Sequence, residues 1–278
     1  MAAIADLSAI VNRATGGNSG TPETIFFSKN GRVGGAVATT PIAGRPASLW
    51  TYDGFPGPGA APGAVAVPTN ATAGGLLQAD PGGSRQKWLL QAFATGLNGG
   101  TLILYDRLLH ISGLSGTTTT AQSVGGTLTR YTNGQGNIVF IEIYTIIGTT
   151  GTTVTMQYTD QAGNSPQVGP AVTIGGTGFR EVTRALFLPV SSGDSGVRGV
   201  TDIDLLASTG TAGDIGVTVA HPLAFIEIGA AGAAGWRDFA TGMPGLPEIL
   251  TDACLAFVWV PNSAAVPEIF GAISSVEV

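Results

Sequence analysis

The side chains that could support catalysis include one suggestive set, His110, Asp160 and Ser195. In serine hydrolases a serine attacks the substrate, a histidine takes its proton and an aspartate orients the histidine. The three residues occur here in the order His, Asp, Ser, and Ser195 lies in the run GDSG at residues 193–196. This order permits nucleophilic catalysis. Whether the three residues form a catalytic set depends on the residues next to them in the sequence.

The residues around Ser195 and His110 argue against this chemistry. The run GDSG resembles the nucleophile segment of chymotrypsin-like serine proteases, which continues with Gly-Pro, whereas Val197 follows here. His110 lies in LHIS at residues 109–112 and lacks the Ala-Ala-His-Cys context of those enzymes. A short run of Gly, Asp and Ser is typical of a β-turn in which Asp194 or Ser195 bonds its own backbone. We therefore predict no catalytic residues and no enzymatic activity.

Residues that bind metals or cofactors are sparse as well. With two histidines and one cysteine, no zinc site of ordinary spacing can be written. Four aspartates could suggest calcium, but the alternating spacing and closing Glu of a calcium loop are absent, so a solvated strand edge explains them better. They are Asp194, Asp202, Asp204 and Asp214. Gly-rich runs such as residues 31–35 lack the lysine and the helix of a phosphate loop, so we predict neither a metal nor a cofactor.

The composition describes an apolar, weakly charged chain. Of its 278 residues, 44% are hydrophobic and 11% are charged, and the formal net charge is −6. A nucleic-acid binder normally presents a face rich in Lys and Arg, and the 12 basic residues here form no such stripe. No apolar run reaches the roughly 18 residues of a membrane span, and the N-terminus lacks the pattern of a signal peptide. We expect no nucleic-acid partner, no membrane partner and synthesis in the cytoplasm.

So little charge on so apolar a chain has two explanations. Part of the surface contacts other protein, which would relieve the shortage of solubilising groups. Alternatively, the surface is covered by the many Thr, Ser, Asn and Gly residues. The first explanation predicts a protein that assembles.

The N-terminal residues predict a helical arm. Apolar residues recur at helical spacing between Ala3 and Arg13, and Asp6 lies near the start, where the helix dipole favours a carboxylate. These apolar residues, which we predict to be an interface, are Ile4, Leu7, Ile10 and Val11. A glycine-rich tether at residues 16–20 follows, so the helix can dock on its own body or on a neighbour. We assign residues 1–20 to this arm and residues 21–278 to the body.

A long loop is predicted between Arg45 and Gly83. The runs FPGPG at residues 55–59 and AAPG at residues 60–63 break any helix or central strand. Loops of this length in a compact domain are usually functional or interfacial. Trp50, Tyr52 and Phe55 lie at its start, and we predict that they are interface anchors, the alternative being that they fill the chain's own core.

The body is predicted to be all-β. Residues 88–94 and 101–105 resemble a hairpin across a turn at residues 97–100, and strands at residues 137–147 and 152–159 flank the turn GTTG. In the last strand Val154, Met156 and Tyr158 alternate with polar residues, so one face is buried. Further strand signals continue to the C-terminus without β-α alternation. The pattern predicts an antiparallel β-sandwich or jelly roll with a short N-terminal helix and a long Pro/Gly loop.

The tetrapeptide Phe-Ile-Glu-Ile occurs twice, at residues 140–143 and 225–228. It marks either a duplicated half or a chance match. In each copy the glutamate lies between apolar residues, so Glu142 and Glu227 are expected to face solvent or a neighbouring subunit.

One stretch of the chain is similar to structural proteins of tailed bacteriophage virions. It runs from Gly100 to Leu114 as GTLILYDRLLHISGL and is followed by LTRYT at residues 128–132. The similarity extends from the region of Trp50 to that of Ala220 and accompanies a short arm before a Gly- and Thr-rich β body.

This resemblance implies a virion protein, most closely a capsid decoration (cement) protein that binds the outside of the capsid and bridges capsomers. It implies a homotrimer and the major capsid protein as partners, and a place on the capsid surface after synthesis in the host cytoplasm. The alternative is a tail or fibre component, or a carbohydrate-binding module whose Trp50, Tyr52 and Trp236 stack on sugars.

Overall fold

The computed structural model describes Ser8, Val11, Asn12, Thr15 and residues 21–240 and 246–277. These residues form nineteen strands. The strands are β1 (Thr21–Lys29), β2 (Arg32–Val33), β3 (Ala36–Val37), β4 (Ala47–Ser48), β5 (Gly54–Phe55), β6 (Lys87–Gly96), β7 (Gly100–Leu114), β8 (Gln122–Ser123), β9 (Ile138–Thr145), β10 (Thr152–Asp160), β11 (Gln167–Val168), β12 (Val172–Ile174), β13 (Ala185–Leu188), β14 (Val197–Leu205), β15 (Asp214–Ile228), β16 (Ala234–Asp238), β17 (Glu248–Ile249), β18 (Leu255–Pro261) and β19 (Ile269–Glu277).

The strands pair into three large sheets and one small ladder. Sheet 1 has the order β16-β6-β19-β1-β5, with β17 also paired to β6. Sheet 2 has the order β13-β9-β15-β7-β18-β4, and sheet 3 has the order β11-β10-β14-β8, with β12 also paired to β10. Strands β2 and β3 pair only with each other among the described residues. Neighbouring strands in all of these sheets are antiparallel.

The two longest strands, β7 and β15, take part in two separate cores. Leu104 of β7 and Ile226 of β15 are buried in one hydrophobic cluster together with residues of sheet 1. Leu109 of β7 and Val217 of β15 are buried in a second cluster together with residues of sheet 3. The pairing of β7 with β15 shifts register near Pro222, between these two regions. Sheet 2 is therefore shared between two β-sandwiches, one with sheet 1 and one with sheet 3.

The prediction of an antiparallel all-β fold is confirmed, but a jelly roll is not. In β10 the buried Val154, Met156 and Tyr158 alternate with partly exposed polar residues, as the sequence pattern predicts. The predicted N-terminal helix is not seen, because most of residues 3–13 lie outside the described residues. Among the described residues, no helix is long and apolar enough to cross a lipid bilayer.

The predicted hairpin of residues 88–94 and 101–105 is wrong. Both strands exist, as β6 and the first part of β7, but β6 belongs to sheet 1 and β7 to sheet 2. The turn between them carries the chain from one layer of a sandwich to the other. The same is true of β9 and β10, which lie in sheets 2 and 3. A short turn connects facing sheets as readily as paired strands, so the turn residues do not distinguish the two.

The predicted long loop at residues 45–83 lies on the body of its own chain. It contains only the short strands β4 and β5, and its backbone bonds to sheet 2 at several points. The Leu76 amide donates to the Leu255 carbonyl at 2.9 Å, and Ala66 forms an isolated bridge with His110. The loop thus covers part of the face of sheet 2.

Candidate functional site

The structure gives each member of the suggestive catalytic set a different partner. His110 Nδ1 accepts a hydrogen bond from Arg107 Nε at 2.8 Å. The Asp160 carboxylate accepts from the backbone and side-chain nitrogens of Asn164 at 2.8 and 2.7 Å. Among the described residues, no hydrogen bond joins His110, Asp160 and Ser195 to one another. The turn in this region spans residues 191–194, where the Asp194 amide donates to the Ser191 carbonyl at 3.1 Å, and the Asp194 carboxylate accepts from the Tyr158 hydroxyl instead of from its own backbone.

The four clustered aspartates are not gathered into a site. Asp214 Oδ1 accepts a hydrogen bond from the Gly113 amide at 2.6 Å, and Asp194 accepts one from the Tyr158 hydroxyl. Within the described ranges, no three His, Cys, Asp or Glu side chains lie close enough together to hold a metal ion.

A buried polar network surrounds Arg107 and Glu142. Arg107 is fully buried, and its guanidinium forms two hydrogen bonds with Glu142, the Nη1 to Oε1 distance being 3.2 Å. The same guanidinium donates to the Tyr144 hydroxyl at 2.9 Å and lies 4.2 Å from the ring centre of Trp50. This side chain therefore joins strands β7 and β9 to the start of the long loop.

Glu142 has a full set of donors. Besides Arg107, it accepts hydrogen bonds from Ser48, from Tyr144 at 3.0 Å and from Thr218 at 2.5 Å. Burial raises the pKa of this carboxyl, but the charge of Arg107 and these hydrogen bonds outweigh burial, so the pKa lies below its usual range. A carboxylate whose two oxygens both accept several hydrogen bonds fixes structure and leaves no free atom for a substrate.

The expectation that Glu142 faces solvent is therefore wrong, although Glu227 in the second copy of the tetrapeptide is exposed. The alternation is the same in both strands. The difference arises because the residues around Trp50 cover the face of the sheet that carries Glu142. Alternation within one strand shows which face a residue lies on, but not whether another part of the chain covers that face.

A second buried ion pair fixes the long loop to the body. Arg130 forms two hydrogen bonds with Asp106, at 2.8 and 2.9 Å. Its Nη2 also donates to the carbonyl of Pro68 at 3.0 Å, and the Cys254 amide donates to Asp106 Oδ1 at 2.9 Å. The pair therefore ties β7 to the loop and to the residue before β18.

Two histidines are held neutral inside the fold. Burial, with a smaller contribution from the charge of Arg107, lowers the pKa of His110 to about 3. Burial lowers the pKa of His221 to about 4. His221 stacks on Tyr131 with 3.7 Å between ring centres and shares a hydrogen bond of 2.9 Å with Asn137.

Acid is expected to destabilise the fold through these two histidines. An unfolded histidine ionises near pH 6.5, so between that pH and about 4 the unfolded chain binds up to about two protons more than the folded chain. Their stabilisation is present above about pH 6.5 and is lost as the pH falls through this window. Urea denaturation at several pH values measures it, and His221→Gln should reduce the extra proton uptake to about one. A free energy of unfolding that stays constant from pH 7 to 4.5 would contradict the assignment.

Cys254 is the free cysteine of the chain and is buried. Burial raises the pKa of its thiol to about 12, the charge of Arg107 opposing this shift. Cys254 is therefore a small core residue, and its thiol is unreactive at neutral pH.

The outer face of sheet 1 carries a continuous row of aromatic side chains. Phe26, Trp236, Phe55 and Phe270 are each about half exposed or more, with exposed fractions of 53%, 65%, 49% and 47%. Phe93 is half-buried between them. We call these five residues, together with Ala272, the aromatic face.

Strand register places these residues side by side. In one row Trp236 lies opposite Phe93, Phe93 opposite Ala272, and Ala272 opposite Phe26, so the row crosses four adjacent strands. In the next row Phe270 and Phe55 both lie opposite Ser28. Phe26 and Phe55 are stacked, with ring centres 6.4 Å apart and planes at 23°. The aromatic residues thus form one contiguous patch. Single exposed apolar side chains are common on protein surfaces and need no explanation, whereas a contiguous patch does.

The three residues that the sequence predicts as interface anchors differ in burial. Trp50 and Tyr52 are buried in this chain, as the alternative interpretation has it, whereas Phe55 lies in the aromatic face. This burial also removes two of the three residues that a carbohydrate-binding module would use. Val11 is exposed. Ile4, Leu7 and Ile10 lie outside the described residues, so their interface role stays a prediction.

No protein-family model matches the chain, and no curated protein matches it. A similarity was found to the VP2 subviral particle of infectious bursal disease virus, at 9% identity over 93% of this chain and 80% of that chain, with a TM-score of 0.19. A mutant VP2 of the same virus gives 10% identity, 93% and 78% coverage and a TM-score of 0.17. These scores are too low for the likeness to carry an argument about fold or function.

Proposed function

We propose that this chain is a structural protein of a virus particle and that the aromatic face is a contact surface for another protein subunit. The aromatic face is the observation that carries the proposal. A soluble monomer rarely exposes so many contiguous aromatic side chains, and such patches mark sites of protein contact. The polar residues of the interior support the same conclusion, because their hydrogen bonds are directed to other parts of the fold.

The resemblance to tailed-phage structural proteins supports a more specific role as a decoration protein. In that role the chain binds the outside of the capsid and bridges capsomers, with itself as a homotrimer and the major capsid protein as partners. Each contact can be weak, because many copies on one particle bind together and add their effects. The proposal includes no enzymatic activity, no cofactor and no nucleic-acid partner.

Replacing two residues of the aromatic face is expected to abolish self-association. The double variant Phe26→Ser with Phe270→Ser removes two half-exposed rings, so it lowers the apolar area available for contact without touching the core. Size-exclusion chromatography with light scattering should give a multimer for the unchanged protein and a monomer for the variant. The control is Leu206→Ser, which removes an exposed apolar side chain outside sheet 1 and should leave the mass unchanged.

Binding to particles tests the virion role separately. The unchanged protein should sediment with empty heads of the virus that encodes it, and the double serine variant should not. A protein that is strictly monomeric and also fails to sediment with heads would contradict the proposal.

A further inference from the structure

The aromatic face has the dimensions of a short helix. Its longer row crosses four strands, β16, β6, β19 and β1, and the second row extends it to β5. With neighbouring strands about 4.8 Å apart, the five strands span about 19 Å. A helix of about eleven residues is about 16 Å long. The face can therefore accommodate one such helix lying across the strands.

The chain contains a segment of matching length and chemistry. Residues 3–13 carry apolar side chains at helical spacing, and a glycine-rich tether at residues 16–20 leads directly into Thr21, the first residue of β1. An isolated helix of this length is marginal in water and needs an apolar surface on which to dock. The segment therefore requires a docking surface of the kind that sheet 1 presents.

Apolar side chains are exposed both at Val11, a described residue of the arm, and on the aromatic face. Val11 is 53% exposed, and Phe26 and Trp236 remain exposed in the same chain. The Thr15 amide donates to the Val11 carbonyl at 3.1 Å, so the tether begins at Thr15. The six residues from Thr15 to Thr21 can span about 20 Å when extended, which is enough to cross to an adjacent molecule. When the arm of each copy binds the aromatic face of another copy, the apolar side chains of the arm and the aromatic face are both buried.

We infer that the N-terminal arm of one copy binds across the aromatic face of a second copy. The apolar side chains Ile4, Leu7, Ile10 and Val11 lie against Trp236, Phe93, Phe26, Phe270 and Phe55 of that copy. The inference rests on the proposed function and names the partner of the same surface. A head-to-tail contact of this kind is compatible with a closed ring of three copies, which is what the predicted homotrimer requires.

Disulfide trapping between two differently labelled chains tests this contact. One chain carries Val11→Cys and the other carries Ala272→Cys in the centre of the aromatic face, so a covalent heterodimer reports an arm that has crossed between molecules. Native Cys254 does not compete, because its side chain is fully buried and its thiol is protonated at neutral pH. The matched control pairs Val11→Cys with Leu206→Cys, an exposed position outside sheet 1.

The expected result is a heterodimer band on a non-reducing gel for Val11→Cys with Ala272→Cys, several-fold stronger than that for the control pair. A band of equal strength in both mixtures, or no band in either, would overturn the inference. The double serine variant separates this inference from the proposed function. Loss of the multimer in that variant without trapping of the arm would mean that the aromatic face is a contact surface with a different occupant.

Discussion

Replacing Glu142 with Gln should lower the free energy of unfolding by about 3 to 5 kcal/mol, the cost of leaving one member of a buried ion pair alone. The amide keeps the shape of the side chain but removes the charge that neutralises Arg107, whose side chain is fully buried. It also replaces one of the two oxygens with an NH₂ group, so that either Ser48, which donates to Oε1, or Thr218, which donates to Oε2, loses its acceptor. Urea denaturation followed by tryptophan fluorescence measures the loss.

A double variant and an exposed pair provide the controls. Arg107→Met combined with Glu142→Leu removes both charges and should recover part of the loss, the remainder being due to hydroxyl groups left without partners. Arg85 pairs with Glu277 at 3.2 Å, but its side chain is 42% exposed, so Arg85→Met should cost less than about 1 kcal/mol. Equal effects of Glu142→Gln and Arg85→Met would show that burial does not strengthen the Arg107 pair.

The second large effect is expected at Gly59, a residue of the long loop. A Cβ atom at this position would lie 2.2 Å from Trp50 Cε2 and 2.4 Å from Nε1, far inside van der Waals contact. Gly59→Ala should therefore displace the indole from Arg107 and lower the free energy of unfolding by about 1 to 3 kcal/mol, the usual cost of overpacking. Urea denaturation measures the change, and the tryptophan emission should shift.

Gly57 is the matched control for this substitution. It lies in the same loop, and a Cβ atom there would meet nothing within 4 Å. Gly57→Ala should change the free energy of unfolding by less than about 0.5 kcal/mol. If both variants were neutral, Trp50 would not be held in place by Gly59.

Most of the longer strands after residue 83 were predictable from the sequence, whereas β1, β16 and the assignment of strands to sheets were not. Alternation in β10 predicts its buried face, because that signal depends only on the strand itself. The turn at residues 97–100 marks the end of β6 and the start of β7, yet the two strands pair with different partners. Which strands pair depends on contacts distant in sequence, and a local turn contains no information about them.

The candidate site was predictable only in part for the same reason. Phe55 was predicted as an interface residue from its place at the start of the long loop. Phe26 lies between the buried Ile25 and Phe27, so a run of three apolar residues hides which of them points outward. The aromatic face is assembled from five strands by cross-strand register, which no single segment records.

The sharing of β7 and β15 between two cores has a consequence for how the molecule comes apart. Neither sandwich has a complete set of strands of its own, since the backbone that closes one continues directly into the other. Freeing sheet 3 would expose apolar side chains on the same two strands that sheet 1 needs in place. The two cores are therefore coupled into a single cooperative unit, and a pull applied at one end is transmitted along continuous β-strands to the other.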